Sequence, residues 1–267
     1  MEKNPVFEIS KLSYRYADSD SALKSINMVI NKGESVAVLG ANGSGKSTLL
    51  KLLDGLYFPT EGQIRAFNTI IDESTMKDKK FAREFHTRVG LVFQDPDVQL
   101  FLPTVWDEVA FAPLQLGMSK SLVTEKASTS LEMLGIYELK DRTPYHLSEG
   151  EKKKVALASI LALDPEVWLL DEPTSSLDPR TQGWIIDFIL ELSEKGKTVV
   201  TATHDLEIPY VAARSCYVLG QDHEIMASGP SRGILDDQHV LAEANLIHRH
   251  RHFHKNMIHT HIHRHWD

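Results

Sequence analysis

Apolar residues along most of this chain follow two rhythms. Short solid runs, at Ser35-Val36-Ala37-Val38-Leu39, Val89-Gly90-Leu91-Val92-Phe93, Val167-Trp168-Leu169-Leu170 and Thr198-Val199-Val200-Thr201-Ala202, predict strands buried on both faces. Val6 to Tyr16 and Asn27 to Ile30 predict two further strands around the polar turn Asp18-Ser19-Asp20-Ser21, and Gly62-Gln63-Ile64-Arg65-Ala66 predicts a short one. Elsewhere the apolar spacing is three and four residues. It predicts helices over Thr104 to Phe111, Ser119 to Leu134 and Glu149 to Leu163, and a helix Thr48 to Leu53 ending at Asp54-Gly55. One more helix has Asp178 as N-cap, Pro179 at its first position and Gly196 just past its end. Residues 68 to 80 are polar and charged and predict an exposed connection. Strands alternating with helices predict an α/β fold: a mostly parallel core sheet, N-terminal antiparallel strands, and an inserted helical subdomain over about 95–163. Residues 1–245 read as one domain and 246–267 as a separate tail.

The first predicted buried strand runs into Gly40-Ala41-Asn42-Gly43-Ser44-Gly45-Lys46-Ser47, which fits the phosphate-loop pattern G-x-x-x-x-G-K-[ST] without a mismatch. Strand, glycine-rich loop and helix is the context this chemistry needs. Glycines let backbone N–H groups curl around phosphates, and the helix N-terminus adds partial positive charge. Lys46 is placed to reach the β- and γ-phosphates, and the Ser47 hydroxyl to ligate magnesium, with Thr48 beside it. A Gly-rich turn before an ordinary helix is the plain alternative.

Two carboxylates, Asp171 and Glu172, end the apolar strand that begins at Val167. Parallel sheets put ligand-binding groups at the carboxyl ends of their strands, so the pair is expected to face the phosphate loop. Asp171 is expected to hold magnesium and Glu172 to act as general base on the attacking water. Upstream, Leu147-Ser148-Glu149-Gly150-Glu151 opens a predicted helix. Ser148 reads as its N-cap, with Glu149 and Glu151 complementing the helix dipole.

These motifs, in this order, resemble those of ATP-binding-cassette (ABC) ATPases, and the resemblance runs from about residue 6 to 235. It implies a P-loop NTPase that hydrolyses ATP with Mg2+. Tyr16 matches the aromatic that stacks on adenine, with Tyr14 as the weaker candidate. Gln94 matches the glutamine that contacts magnesium and water and couples to the transport partner. Ser175-Ser176-Leu177-Asp178 resembles the loop that communicates between two ATP sites, and His204 the histidine that senses the γ-phosphate. Ser148 and Gly150 match the signature residues that contact the γ-phosphate of a second copy. The signature departs from the family's Leu-Ser-Gly-Gly-Gln at Glu149 and Glu151, which implies a weakened contact unless those side chains point away.

Residues 89–113 closely resemble energy-coupling-factor importers, the cobalt and nickel branch included. That implies a transmembrane coupling subunit and a substrate-binding membrane subunit on separate chains, docked through this region at the cytoplasmic face of the membrane. Val98, Leu100, Phe101, Leu102 and Trp106 read either as an apolar docking patch or as packing for the helical subdomain.

Composition adds two points. The net charge of -8 and the absence of a basic face argue against general nucleic-acid binding, and the single Cys216 rules out an internal disulfide and fits a reducing cytoplasm. No apolar run approaches a membrane span and the N-terminus is no signal peptide. The tail has a local excess of three positive charges, so the rest carries -11. It also alternates His248, His250, His252, His254 and then His259, His261, His263, His265. In an extended chain either set shares a face, and imidazole suits nickel and cobalt. The expected function is the ATP-hydrolysing subunit of a nickel or cobalt importer. Alternatives are a vitamin-type importer of the same kind, or a metal-buffering protein whose cassette only binds ATP.

Overall fold

The computed structural model describes residues 4–17 and 21–247, and the backbone of 249–254 and 257–262. The chain starts with β1 (Pro5–Arg15) and β2 (Ser21–Asn31), paired antiparallel, then β3 (Ser35–Leu39) and α1 (Lys46–Leu53). β4 (Glu61–Ala66) and β5 (Thr69–Ile70) complete an antiparallel sheet of order β2-β1-β4-β5. Two short helices, α2 (Glu73–Lys77) and α3 (Lys79–Arg88), lead to β6 (Val89–Val92). Then come α4 (Val105–Gln115), α5 (Lys120–Met133) and α6 (Glu149–Leu161), which pack on one another. β7 (Val167–Asp171), α7 (Pro179–Glu194), β8 (Thr198–Thr203), α8 (Glu207–Val211), β9 (Ser215–Leu219) and β10 (Ile225–Pro230) follow, with α9 (Ser231–Asp236) and α10 (Gln238–Glu243) last. The central sheet has the order β10-β9-β3-β8-β7-β6, parallel throughout except for the edge strand β10.

The solid apolar runs arise because this sheet is covered on both faces. Along β7, Val167 and Leu169 pack into the core shared with α1 and the antiparallel sheet, while Trp168 and Leu170 pack against α6 and α7. Along β3, Val36 and Val38 face the first core, and Ala37 and Leu39 a third one under α9 and α10. Successive strand residues point to opposite faces, so a strand covered on both must be apolar at every position. The mostly parallel sheet with N-terminal antiparallel strands expected from the sequence is the fold observed.

Three local expectations need correction. β2 begins at Ser21, six residues before the predicted start. Register shifts against β1, and the left-handed backbone at Lys11 (φ 49°) and Ser25 (φ 48°), break the period-two pattern there. Residues 68–80 hold β5, α2 and the start of α3, which Asp72 and Asp78 cap with their side chains. Those two helices bury only Phe85, so they leave no apolar periodicity to read. The strand predicted to run through Phe93 stops at Val92, so Gln94 does not directly follow a strand.

Beyond Ile247 the backbone forms β11 (Arg249–His254) and β12 (Met257–Ile262), paired antiparallel with His250 opposite His261 and His252 opposite His259. His248, His263 and His265 lie outside the described residues. Among the described residues, no helix is long and apolar enough to cross a membrane.

Candidate active site

The end of β3 turns into α1 through a loop that only glycine permits at two points. Gly45, the N-cap of α1, has φ 108°, and a Cβ there would run into the Ala22 carbonyl oxygen and stand 2.8 Å from Leu23 Cδ2. At Gly40 an added Cβ would collide with Ser44 Oγ and come within 2.9 Å of the Leu219 carbonyl oxygen. The loop is therefore closely wrapped, with no room for a side chain at either point. No acidic residue sits in the first turn of α1, so the positive end of the helix is not neutralised by its own side chains.

Lys46 is 5 % exposed and folds back over the loop, donating to the carbonyls of Gly40 (2.8 Å) and Ala41 (3.1 Å). Its ammonium also lies 3.2 Å from Glu172 Oε1. Ser47 Oγ donates to Asp171 Oδ1 at 2.9 Å, which joins the start of α1 to the end of β7. Burial holds the Asp171 carboxyl above its usual range, with the Ser47 hydrogen bond working against that. The buried Ser44 Oγ has no hydrogen-bond partner among the described residues. A buried ammonium, an unpartnered hydroxyl and a carboxylate–hydroxyl pair within one glycine-rich loop fit a phosphate chain with its magnesium ion.

Glu172 has left-handed backbone, φ 42°, an uncommon conformation for a non-glycine residue that clusters at functional sites. This turns its carboxylate inward, 4 % exposed, so that Oε2 accepts from Thr203 Oγ1 (3.2 Å) and from the His204 backbone N–H (3.4 Å). His204 Nδ1 lies 2.9 Å from the same oxygen. One carboxylate thus spans Lys46 on the phosphate loop and His204 at the end of β8. A general base needs this fixed orientation to take a proton from water beside the γ-phosphate.

Tyr16, Asn42, Gly43, Gly45, Lys46, Ser47, Thr48, Gln94 and Glu172 line one cleft; Gly40, Ala41, Ser44 and Asp171 belong to the loop and strand behind it. Tyr16, rather than Tyr14, opens onto the cleft. Its hydroxyl is 2.9 Å from Thr48 Oγ1, while the Tyr14 ring is stacked on Tyr57 with centroids 5.4 Å apart. The sequence reading missed His223, which lines the cleft with Nδ1 3.3 Å from the Ser44 carbonyl oxygen, and Thr203 beneath Glu172. Neither belongs to a short motif, and both reach the site through sheet topology alone.

Ser148 and Gly150 are elsewhere. They line a separate cavity with Gly135, Leu139, Leu177 and Thr181 that shares no residue with the phosphate-loop cleft. Ser148 caps α6 in a reciprocal box: its N–H and its hydroxyl both reach Glu151 Oε2 at 2.8 Å. Those bonds hold the Glu151 carboxyl below its usual range, so it stays ionised and occupies the serine's proton. Glu149 turns toward Lys152, 3.4 Å away. Of the two signature departures, Glu149 points aside and Glu151 engages the serine directly.

The apolar candidates after Gln94 divide. Val98 and Phe101 are 67 % and 68 % exposed, while Leu100 and Trp106 pack against the helical core. Leu102 gives its N–H to the buried carboxylate of Glu108, which holds the loop that carries Phe101. Phe101 meets Phe111 edge to face at 5.5 Å, and Leu114 and Tyr145 are also exposed.

The family model for ABC transporters matches residues 23–175, a span from the phosphate loop's flank through Glu172 and Ser175. This chain belongs to the ABC transporter family. A putative ABC transporter ATP-binding protein of Methanosarcina acetivorans is 47 % identical over 252 residues, covering 93 % of this chain and 91 % of that protein. The energy-coupling factor transporter ATP-binding protein EcfA of Methanothermobacter thermautotrophicus is 44 % identical, covering 90 % of this chain and 76 % of its own length. The nickel import ATP-binding protein NikO of Rhodobacter capsulatus is 42 % identical, covering 91 % and 96 %. Among solved structures, cbiO1 of Clostridium perfringens, described as part of the ABC transporter complex cbiONQ, superposes with a TM-score of 0.76 at 34 % identity over 91 % of this chain and 96 % of that one. The ABC chain described here is an ATP-binding subunit, and its reaction is ATP hydrolysis coupled to transport.

Proposed function

We propose that this ABC subunit energises an energy-coupling-factor-type importer of nickel or cobalt, from the cytoplasmic face of the membrane. Two copies close on two ATP molecules, each phosphate loop facing the other copy's Ser148 and Gly150. Tyr16 stacks on the adenine, and the loop from Gly40 to Thr48 holds the phosphates. Ser47, Asp171 and Gln94 hold magnesium, which neutralises phosphate charge. Glu172 takes the proton of the attacking water and His204 holds the carboxylate in place.

The observation that carries the importer reading is the exposed pair of Phe101, on a loop fixed by Glu108, and Phe111 of α4. Apolar side chains presented on a rigid loop suit the coupling helices of a transmembrane subunit. The name of the NikO relative, a nickel import ATP-binding protein, supports the metal. The histidines of the tail support it too. The hairpin register brings His250, His252, His259 and His261 together in cross-strand pairs on one ribbon, which suits a late divalent transition metal held near the transporter.

The test is uptake of labelled nickel and cobalt by cells carrying the native chain, Glu172→Gln, Phe101→Asp, or a chain truncated after Ile247. The reading expects Glu172→Gln and Phe101→Asp to abolish uptake. It expects truncation to weaken uptake only at limiting metal. Loss of vitamin uptake with metal uptake unchanged would replace the metal reading by the vitamin-type one.

A further inference from the structure

Lys153 is among the largest fully buried side chains, 2 % exposed, although it lies only three residues after Gly150 in the first turns of α6. Its ammonium donates to the carbonyls of Phe93 (3.0 Å) and Gln94 (2.8 Å), and among the described residues it has no carboxylate within ion-pair distance. Burying a charge beside two neutral acceptors is costly. A methionine or leucine would fill the same volume without that cost, so filling space does not account for a lysine here.

The neighbouring contacts repeat the connection. Lys152 pairs with Asp97 at 2.8 Å. The Gln99 side chain accepts from the Phe93 N–H (3.2 Å) and donates to the Ala156 carbonyl (3.0 Å) and Ser159 Oγ (3.1 Å). A cavity of about 350 Å³ is lined by Lys153 together with Gln94, Glu149, Ser175 and Ser176. All of these bonds but one, the Phe93 N–H to Gln99 bond that braces the segment itself, cross between segment 93–99 and α6. At one end is Gln94, which lines this chain's own nucleotide cleft. At the other are Ser148 and Gly150, which open away from it.

We propose that Lys153 is a positioning residue that couples the two nucleotide sites of the dimer. It fixes Gln94 of one site to the signature turn whose serine serves the other. When Ser148 and Gly150 move onto a partner's nucleotide, α6 carries the Phe93 and Gln94 carbonyls with it, and Gln94 settles on magnesium only then. A rigid pair of hydrogen bonds transmits that displacement; an apolar side chain at the same place does not. The inference rests on the roles of Gln94 and Ser148 stated above.

The experiment uses the purified full chain with Lys153→Met, Lys153→Arg and, as a separate control, Gln94→Ala. Melting temperature, ATP affinity of the isolated chain, kcat and the Mg2+ concentration for half-maximal activity are measured for each. The coupling predicts that Lys153→Met keeps its melting temperature and ATP affinity, loses kcat at least tenfold, and needs at least threefold more Mg2+. Lys153→Arg is expected to recover half or more of the activity. Unchanged kcat and Mg2+ dependence in a folded Lys153→Met chain overturns the proposal. So does a loss that tracks a fall in melting temperature and is not rescued by arginine, because packing alone then explains it. If Gln94→Ala leaves the Mg2+ dependence untouched, the role given to Gln94 is wrong, independently of Lys153, and the coupling falls with it.

Discussion

The phosphate loop and the signature turn both end in a helix N-terminus, and both are proposed to meet phosphate, yet folding leaves them in different states. At the loop the charged and hydroxyl groups that matter are bonded within the chain: Lys46 lies on two carbonyls beside Glu172, and Ser47 is joined to Asp171. The signature turn is open. Ser148 is exposed, and its proton is already given to Glu151 on the same helix. The loop is thus organised by contacts within its own chain, the arrangement that preorganised electrostatics requires. On the proposed dimer the signature turn is finished only by what comes against it, and the Ser148–Glu151 hydrogen bond has to break first.

The largest effect that could break this comparison lies in the organised half. Glu172→Gln keeps the shape but removes the proposed base, so kcat should fall by ~10²–10⁴ while ATP affinity holds. A fall of less than tenfold would mean that the contacts to Lys46 and His204 hold structure rather than chemistry. Next comes backbone strain. Gly45→Ala forces a left-handed backbone and a collision with Ala22, costing roughly 1–3 kcal/mol before any relaxation of the loop. At this chain length each kcal/mol lowers the melting temperature by about 2–4 °C. Gly150→Ala should cost visibly less in the same calorimetric scan, since its nearest neighbour is Thr181 at 3.3 Å. Equal losses would remove the contrast between a pre-set loop and an adaptable turn.

Much of the organised half was legible in the chain because its chemistry is local. The phosphate loop is eight consecutive residues, and Asp171 and Glu172 follow an apolar run whose solidity reflects a sheet covered on both faces. What was not legible depends on distant pairing. His223 and Thr203 reach the site through sheet order, and β2 was shortened in the reading because positive φ at Ser25 interrupts its alternation. Exposure within 98–106 was undecidable from pattern alone. Phe101 and Trp106 are equally apolar, and only the bond from Leu102 to Glu108 explains why one is presented and the other packed. Lys153 looks like any lysine in a run of three, and nothing in the sequence marks it as the most deeply buried of them.

Smaller effects sharpen the signature half. Glu151→Gln keeps a side-chain acceptor for the cap but removes the charge that holds the serine proton. The change should tighten ATP-dependent dimerisation by about 0.5–1.5 kcal/mol, a ~2–10-fold gain in sedimentation titrations. Weakened dimerisation would mean that the carboxylate supports the interface. Glu149→Gly should change the same titration least, by about twofold or less, because the exposed Glu149 carboxylate already leans on Lys152.

The central claim is that the phosphate loop is half of a site completed by Ser148 of a second copy. Its most direct test is the sedimenting mass of the Glu172→Gln chain in Mg-ATP, with and without Ser148→Arg. The account predicts twice the mass of one chain for Glu172→Gln and a single chain's mass once Ser148→Arg is added, with ATP still bound. A Glu172→Gln chain that stays monomeric at saturating ATP, or a dimer indifferent to Ser148→Arg, would contradict it.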